Sequence, residues 1–211
     1  LETVYVSGHD GKTRMAKDTS PYTNITKEVA TVDMGDAERH LEGIDKRTVK
    51  FQTLIDWFRA FHGVQNTEYA AECLTIRART GFFRYDRMPF GPVNAGRVYN
   101  NVTQDIIDGI SAKKHVDNIY VHHSTFTHHL DELIVLFTRM IDRNMALREG
   151  KVELFVREAK FAGRIIHANG SIAVTKDNID TLLNMKDVGI DPHAIRSLLG
   201  LANWMNSFVI G

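Results

Sequence analysis

The sequence predicts an α+β fold, an antiparallel sheet packed on helices, and three observations carry that expectation. Turn-forming pairs flanked by β-prone runs occur at Asp10-Gly11, Asp117-Asn118 and Asn169-Gly170, each the mark of a hairpin. A short apolar run, Phe51 to Ile55, ends on Asp56 as a buried strand ends on an acid at its C-terminal edge. Apolar residues then recur at helical spacing after Asn94, from Thr127 and after Asp191-Pro192. At 211 residues and 43% hydrophobic, the chain can bury a core as one large domain or two small lobes.

Taken in order, Val4 to Asp18 reads as a hairpin around Asp10-Gly11. Its second strand places Lys12 and Arg14 on one face, either a solvated edge or a pair of cations aimed at phosphates. Thr19-Ser20-Pro21-Tyr22 breaks the strand, and Ala37, Leu41 and Ile44 suggest a short helix from about Asp33 to Ile44. The strand to Asp56 leads into a turn bringing Phe61. Cys73 to Arg79 and Gly81 to Tyr85 read as two strands around Thr80-Gly81. Met88 to Ala95 is a rigid turn, with two prolines and a glycine, opening onto a helix to about Ile110 whose apolar face is Val98, Val102, Ile106 and Ile110. A long helix from Thr127 to Arg143 carries Leu130, Leu133, Ile134, Phe137 and Ile141 as its stripe. Phe161 to His167 and Ser171 to Val174 form a hairpin through Ala168-Asn169-Gly170, Thr175 caps a helix to about Lys186, and Asp191-Pro192 opens a last helix to about Phe208.

Composition limits the function classes. No apolar run reaches the ~18 residues of a membrane span, so a soluble globular chain without a membrane partner is expected. Leu1-Glu2-Thr3-Val4 has no signal-peptide layout and no initiating Met, which points to a piece of something longer. The single cysteine, Cys73, excludes an internal disulfide and fits an intracellular compartment, cytoplasm or nucleus. Lys plus Arg and Asp plus Glu are both 26, so any hold on a phosphate backbone has to come from a local basic face.

The chemistry concentrates at the Lys113 to His123 hairpin, where Asp117-Asn118 supplies the φ > 0 that a tight turn needs and a carboxylate at the tip. Mg²⁺ is usually held by one or two carboxylates together with substrate phosphates, and Asp56 is the best second acid. A different reading rests on His122, His123, His128 and His129, whose imidazoles could hold zinc or form an interaction module; they lack a clean i, i+4 pair and a cysteine partner, so solvated surface histidines are the expected explanation.

These landmarks, in this order, resemble the fingers, palm and start of the thumb of reverse transcriptases, the RNA-directed DNA polymerases of the gypsy-type LTR-retrotransposon and retrovirus group. The resemblance runs from about Val4 to Ile210 and rests on Asp10 to Arg14, Asp56 to Val64, Thr80 to Tyr85, Arg87 to Ala95, His129-Leu130, Lys151, Phe161 to Ile166 and Arg196 to Trp204. It implies a right-hand architecture with a fingers-like segment at 1–50, a palm-like domain at 51–170 with inserted fingers strands at about 65–90, and the start of the thumb at 171–211. It implies Asp56 and Asp117 as ligands of Mg²⁺ or Mn²⁺ in an active enzyme. Lys12, Arg14, Phe61, Phe90, Gly91 and Lys151 would contact the nucleotide, with Phe61 excluding a ribose 2′-OH. Phe161, Gly163 and Arg164 would belong to the hairpin gripping the primer end. An RNA/DNA template-primer duplex and protein partners within a larger polyprotein or complex follow from the same resemblance.

The departures lie at the centre. The family's active hairpin is an aromatic, any residue, then two aspartates; here it reads His115-Val116-Asp117-Asn118, so the catalytic set is Asp56, Asp117 and an amide, Asn118. Losing that charge weakens the hold on two divalent cations ~4 Å apart, because each carboxylate offsets their repulsion. The reading favoured by this departure is a weakened or inactive pseudoenzyme kept for nucleic-acid binding or scaffolding, which needs no metal. The alternative is an active RNA-directed DNA polymerase.

Overall fold

A computed structural model of the chain describes residues 3–7, 13–17, 41–57, 60–147, 149–184 and 192–205. The chain divides into two compact units, Leu1–Met34 with Trp57–Ile110 and Ile134–Lys151, and Gly35–Asp56 with Ser111–Leu133 and Val152–Gly211.

The second unit is built on strand β3 (Phe51–Asp56), the expected apolar run. Its partner β7 (Asn118–His123) runs antiparallel beside it, and β6 (Ala112–His115) and β8 (Val152–Glu153) complete a four-stranded sheet in the order β6-β7-β3-β8. Both central strands are buried on two faces, so they read as continuous runs rather than alternating ones. A three-stranded sheet of β9 (Glu158–Phe161), β10 (Arg164–His167) and β11 (Ile172–Val174) belongs to the same unit, as do helices α5 (Lys176–Asn184) and α6 (Pro192–Met205). Leu54 and Tyr120 pack with Ile44, Val49, Phe161 and Ile166, and the Tyr120 ring stacks on Phe161 with centroids 5.3 Å apart. Inside this core the Tyr120 hydroxyl donates to Gln52 Oε1 (2.9 Å), and Gln52 Nε2 donates to the Ile166 carbonyl (3.2 Å). Buried Tyr120 and Gln52 thereby both find partners. Gly170, at φ +77, closes against Asp45, and a Cβ there would run into the Asp45 carbonyl.

The first unit contains the β1 (Thr3–Ser7) and β2 (Thr13–Lys17) hairpin, whose expected Asp10-Gly11 turn lies outside the described residues. It also holds α1 (Ala60–Gly63), α2 (Glu68–Cys73), the β4 (Ile76–Ala78) and β5 (Gly81–Phe83) hairpin, and α3 (Ala95–Ile107). Helix α4 (Phe126–Asp142) starts in the second unit and ends in the first.

Several expectations need correction. Residues 73–79 are not one strand: Thr67 caps α2 by accepting from the Ala70 N–H (3.2 Å), and only Ile76–Ala78 pairs with β5. Phe161 to His167 is not one strand either, because Ala162 (φ 48) and Gly163 (φ 74) turn the chain between β9 and β10. Helix α3 buries Ala95, Tyr99, Thr103 and Ile106 while Val98 is exposed. Tyr99 docks on Trp57 (5.9 Å) and Phe61 (5.3 Å), and the Thr103 hydroxyl donates to the Tyr99 carbonyl (2.7 Å), so its burial leaves nothing unsatisfied. Helix α4 is rotated in the same way: His129, Leu133, Leu136 and Met140 are buried, and Leu130, Ile134 and Ile141 are exposed. The expected Asp33 to Ile44 helix lies outside the described residues up to residue 40; from Leu41 the chain turns through Gly43 (φ +78), leaving Ile44 in the core. The ends of the two C-terminal helices, beyond Asn184 and Met205, and Asp191 also lie outside them.

Candidate active site

Strand β3 ends on Asp56 and β7 begins on Asn118, and the two are paired across the ladder. Side chains alternate along a strand, so Asp56 shares a face with Leu54 and Gln52, and Asn118 with Tyr120. The two therefore stand side by side at the end of the core face. His115 pairs with Asn118, which makes Val116-Asp117 the two-residue tip, one position earlier than the Asp117-Asn118 step expected from turn chemistry. The register decides this. Ile119, Tyr120 and Val121 are wholly buried, and a one-residue slip would move each of them to the opposite face. The positive φ consequently falls on Val116 (φ 55), a β-branched residue that resists it.

Asp117 and Asn118 are half-buried, and the Asn118 amide Nδ2 donates to Asp117 Oδ1 at 3.3 Å. An aspartate at 118 has no such N–H to give; the amide turns a donor toward the carboxylate and takes up one of its lone pairs. Two carboxylates and an amide oxygen are the hard donors that suit Mg²⁺ or Mn²⁺, so the residues present fit one divalent ion, with one negative charge fewer than the family's pattern. The His115 ring stands edge-on to Phe161, centroids 6.3 Å apart.

Of the residues linked to primer grip, Phe161 and Arg164 are each 1% exposed, inside the second unit, and Gly163 is exposed at the turn between them. The exposed surface of this turn is therefore backbone, supported by two buried side chains.

The residues expected to contact a nucleotide belong to the first unit. Phe61 and Phe90 meet edge to face at 5.2 Å. They are brought together because residues 85–88 are tied to 62–66: Met88 N–H donates to the Val64 carbonyl (2.9 Å), Asn66 Nδ2 to the Tyr85 carbonyl (2.7 Å), Arg87 to the Gly63 carbonyl (2.9 Å), and His62 Nδ1 lies 3.0 Å from the Met88 carbonyl. Gly91, at φ +124, turns the chain away after Phe90, a conformation that favours glycine. Lys151 is exposed. The backbone of Arg14 pairs with Val6 in the β1–β2 ladder, and Lys12 lies outside the described residues.

Three of these four histidines are not solvated surface residues, which corrects the expectation for them. His122, His123 and His129 are at most 8% exposed, and only His128 is open. Burial, followed by the neighbouring His123 and His122, pushes His129 down to about 4, and burial lowers His122 and His123 as well. Glu132, which the sequence reading passed over, joins His123 and His128; its signal was the four-residue spacing from His128 on a helix.

Against known proteins, the chain is 26% identical over 163 residues to the Retrovirus-related Pol polyprotein from transposon 297 of Drosophila melanogaster, covering 76% of this chain and 15% of the polyprotein. It is 25% identical over 205 residues to the Pro-Pol polyprotein of Simian foamy virus type 1, covering 95% of this chain and 17% of that one. The chain thus spans a small fraction of the relatives it matches. Among solved structures, a foamy viral protease-reverse transcriptase in complex with double-stranded DNA matches 95% of this chain with a TM-score of 0.81 at 21% identity, this chain covering 35% of it. A foamy viral protease-reverse transcriptase in complex with an RNA/DNA hybrid gives 0.72 at 21% identity, covering 95% of this chain and 27% of that one. The expected α+β, reverse-transcriptase-like fold is borne out by these likenesses. The profile of the family described as Reverse transcriptase (RNA-dependent DNA polymerase) matches residues 12–166, more than half of the 211, and the chain belongs to that family.

Proposed function

We propose that this chain is a reverse-transcriptase-like domain that binds a template-primer duplex and in which nucleotidyl transfer is weakened or lost. The observation carrying this reading is Asn118, opposite Asp56 in the ladder and donating its amide hydrogen to Asp117. Two-metal phosphoryl transfer relies on carboxylates to hold two cations ~4 Å apart. Asp56 and Asp117 would hold one Mg²⁺, which polarises phosphate oxygens when bound; the side chain of Asn118 brings no charge to hold a second. Phe61 and Phe90 supply an apolar wall for a nucleotide sugar and base, and Lys12, Arg14 and Lys151 supply cations for its phosphates. Phe161, Gly163 and Arg164 support a turn that would contact the primer end through its backbone. On this reading residues 1–50 and about 65–90 are fingers, the rest of 51–170 palm, and 171–211 the start of the thumb. The partners are a nucleic-acid duplex and the remainder of a larger polyprotein or complex. Among the described residues no helix is long and apolar enough to cross a membrane.

Primer extension on an RNA template with Mg²⁺ or Mn²⁺ tests the reading, using the chain as it stands, Asn118→Asp and Asp56→Ala. The expected outcome is extension at background level by the chain, with a gain of roughly tenfold or more for Asn118→Asp, each ~1.4 kcal/mol of transition-state stabilisation restoring a factor of ten. Robust extension by the unaltered chain, abolished by Asp56→Ala, would establish an active polymerase in its place.

A further inference from the structure

We propose that His123, His128 and Glu132 form a binding site for a zinc-class transition-metal ion that clamps the start of α4 to the end of β7. The site is separate from the Asp56 and Asp117 carboxylates and needs neither of them.

Its geometry follows from the chain. Strand β7 ends at His123 and α4 begins at Phe126, so the strand's last side chain faces the helix's first turns. His128 and Glu132 are four residues apart on α4 and share one face. His123 Nε2 lies 3.0 Å from Glu132 Oε2, His128 Nε2 lies 3.4 Å from Glu132 Oε1, and the three ligand atoms all lie within 4.8 Å of one another. Zinc bonds of ~2.0–2.1 Å directed to the corners of a tetrahedron place neighbouring ligand atoms about 3.3 Å apart, so little movement is needed to admit an ion.

A second observation points to a ligand. His123 is 5% exposed, and its Nε2, although close to Glu132, makes no aligned hydrogen bond. Buried nitrogens are normally satisfied. The His123 and His128 rings stand only 4.3 Å apart and both turn Nε2 toward the same carboxylate, so the three groups converge on one point. A metal ion there would accept a lone pair from each of them.

The surroundings hold the ligands as a metal site requires. His123 Nδ1 is 3.1 Å from His129 Nδ1, and His129 Nε2 is 2.8 Å from Thr53 Oγ1. With Nε2 given to the metal, His123 Nδ1–H donates to His129, and His129 Nε2–H donates to Thr53; every ring is then neutral with one defined tautomer. Glu132 Oε2 also accepts from the Ser111 N–H at 2.7 Å, which fixes the carboxylate. Two imidazoles and one carboxylate suit zinc and its neighbours rather than Mg²⁺ or Ca²⁺. The His128 side chain, 59% exposed, leaves a route for the ion and for a water as fourth ligand.

The test titrates Co²⁺ into the full chain after chelator treatment, with excess Mg²⁺ present to occupy oxygen-only sites, and follows the intense visible absorption of tetrahedral Co²⁺. The expected result is saturation near one ion per chain, bleaching when Zn²⁺ displaces it, and affinity lowered by more than roughly tenfold in both His128→Ala and Glu132→Gln. His167→Gln, which breaks a separate histidine–carboxylate contact with Glu158 (3.2 Å), should leave the spectrum unchanged. Absence of stoichiometric tetrahedral absorption, or binding unaffected by His128→Ala, would overturn the proposal. Exposed His128 carries the test alone if Glu132→Gln, which also loosens Ser111, lacks the parent's circular dichroism.

Discussion

Val116 shows how the β6–β7 hairpin is constrained. Its φ of 55 places a β-branched side chain where Cβ crowds the backbone, at a cost of about 1–3 kcal/mol. The neighbouring strands hold it there, because relaxing the turn would shift Ile119, Tyr120 and Val121 out of register. Val116→Asn keeps the turn and removes most of the strain, since asparagine tolerates this conformation. The expected gain is about 1 kcal/mol in urea unfolding, and a smaller gain for Val116→Gly, whose unfolded chain is more flexible. Destabilisation by Val116→Asn would mean that the half-exposed valine methyls matter more than the backbone. That Asp56 stands beside the Asp117-Asn118 hairpin was legible in the sequence because motif order carries it. The strain at Val116 was not, because turn chemistry alone favours Asp117-Asn118, and only the pairing with β3 moves the tip.

Helix α4 was legible as a helix, and the face it buries was not. Counting apolar residues selects Leu130, Leu133, Ile134, Phe137 and Ile141, of which Leu133 is buried while Leu130, Ile134 and Ile141 are exposed. The buried face includes His129, a residue that hydropathy assigns to solvent but that Thr53 and His123 satisfy by hydrogen bonding. The same blindness hid the Thr103 side of α3. Buried polar residues are found from their partners, and those partners are 76 positions away for His129 and Thr53. A neutral buried histidine has a pH consequence. Above its unfolded value of 6.5 neither state is charged and stability is complete; as pH falls from 6.5 toward about 4, the unfolded chain takes up a proton that folded His129 refuses, and stability declines. By about pH 5 the loss is about 2 kcal/mol, with His122 and His123 acting in the same direction. Urea unfolding with chelator present, at about pH 7.5 and pH 5, should show this loss in the parent and a smaller one in His129→Gln. Equal losses would place the titrating group elsewhere.

The chain as a whole carries 26 basic and 26 acidic residues, so no net charge draws it to a phosphate backbone. Any affinity for a template-primer duplex has to arise from local cations, and its salt dependence counts them. Each phosphate neutralised releases counterions and contributes a slope of about −0.9 in log K against log salt for duplex DNA. If Lys12, Arg14 and Lys151 are the contacts, the slope should be about −2.7, well short of what a strongly basic nucleic-acid binder shows. Replacing Lys12 and Arg14 together by alanine should remove about 1.8 of it and weaken binding uniformly across sequences, because phosphate contacts carry no base information. Fluorescence anisotropy with a labelled duplex at several salt concentrations measures both quantities. A steep slope that the double variant leaves intact would place the phosphate contacts on other cations. Affinity that ignores salt would mean that phosphate neutralisation contributes nothing to it, and would remove the proposed cation contacts to a duplex.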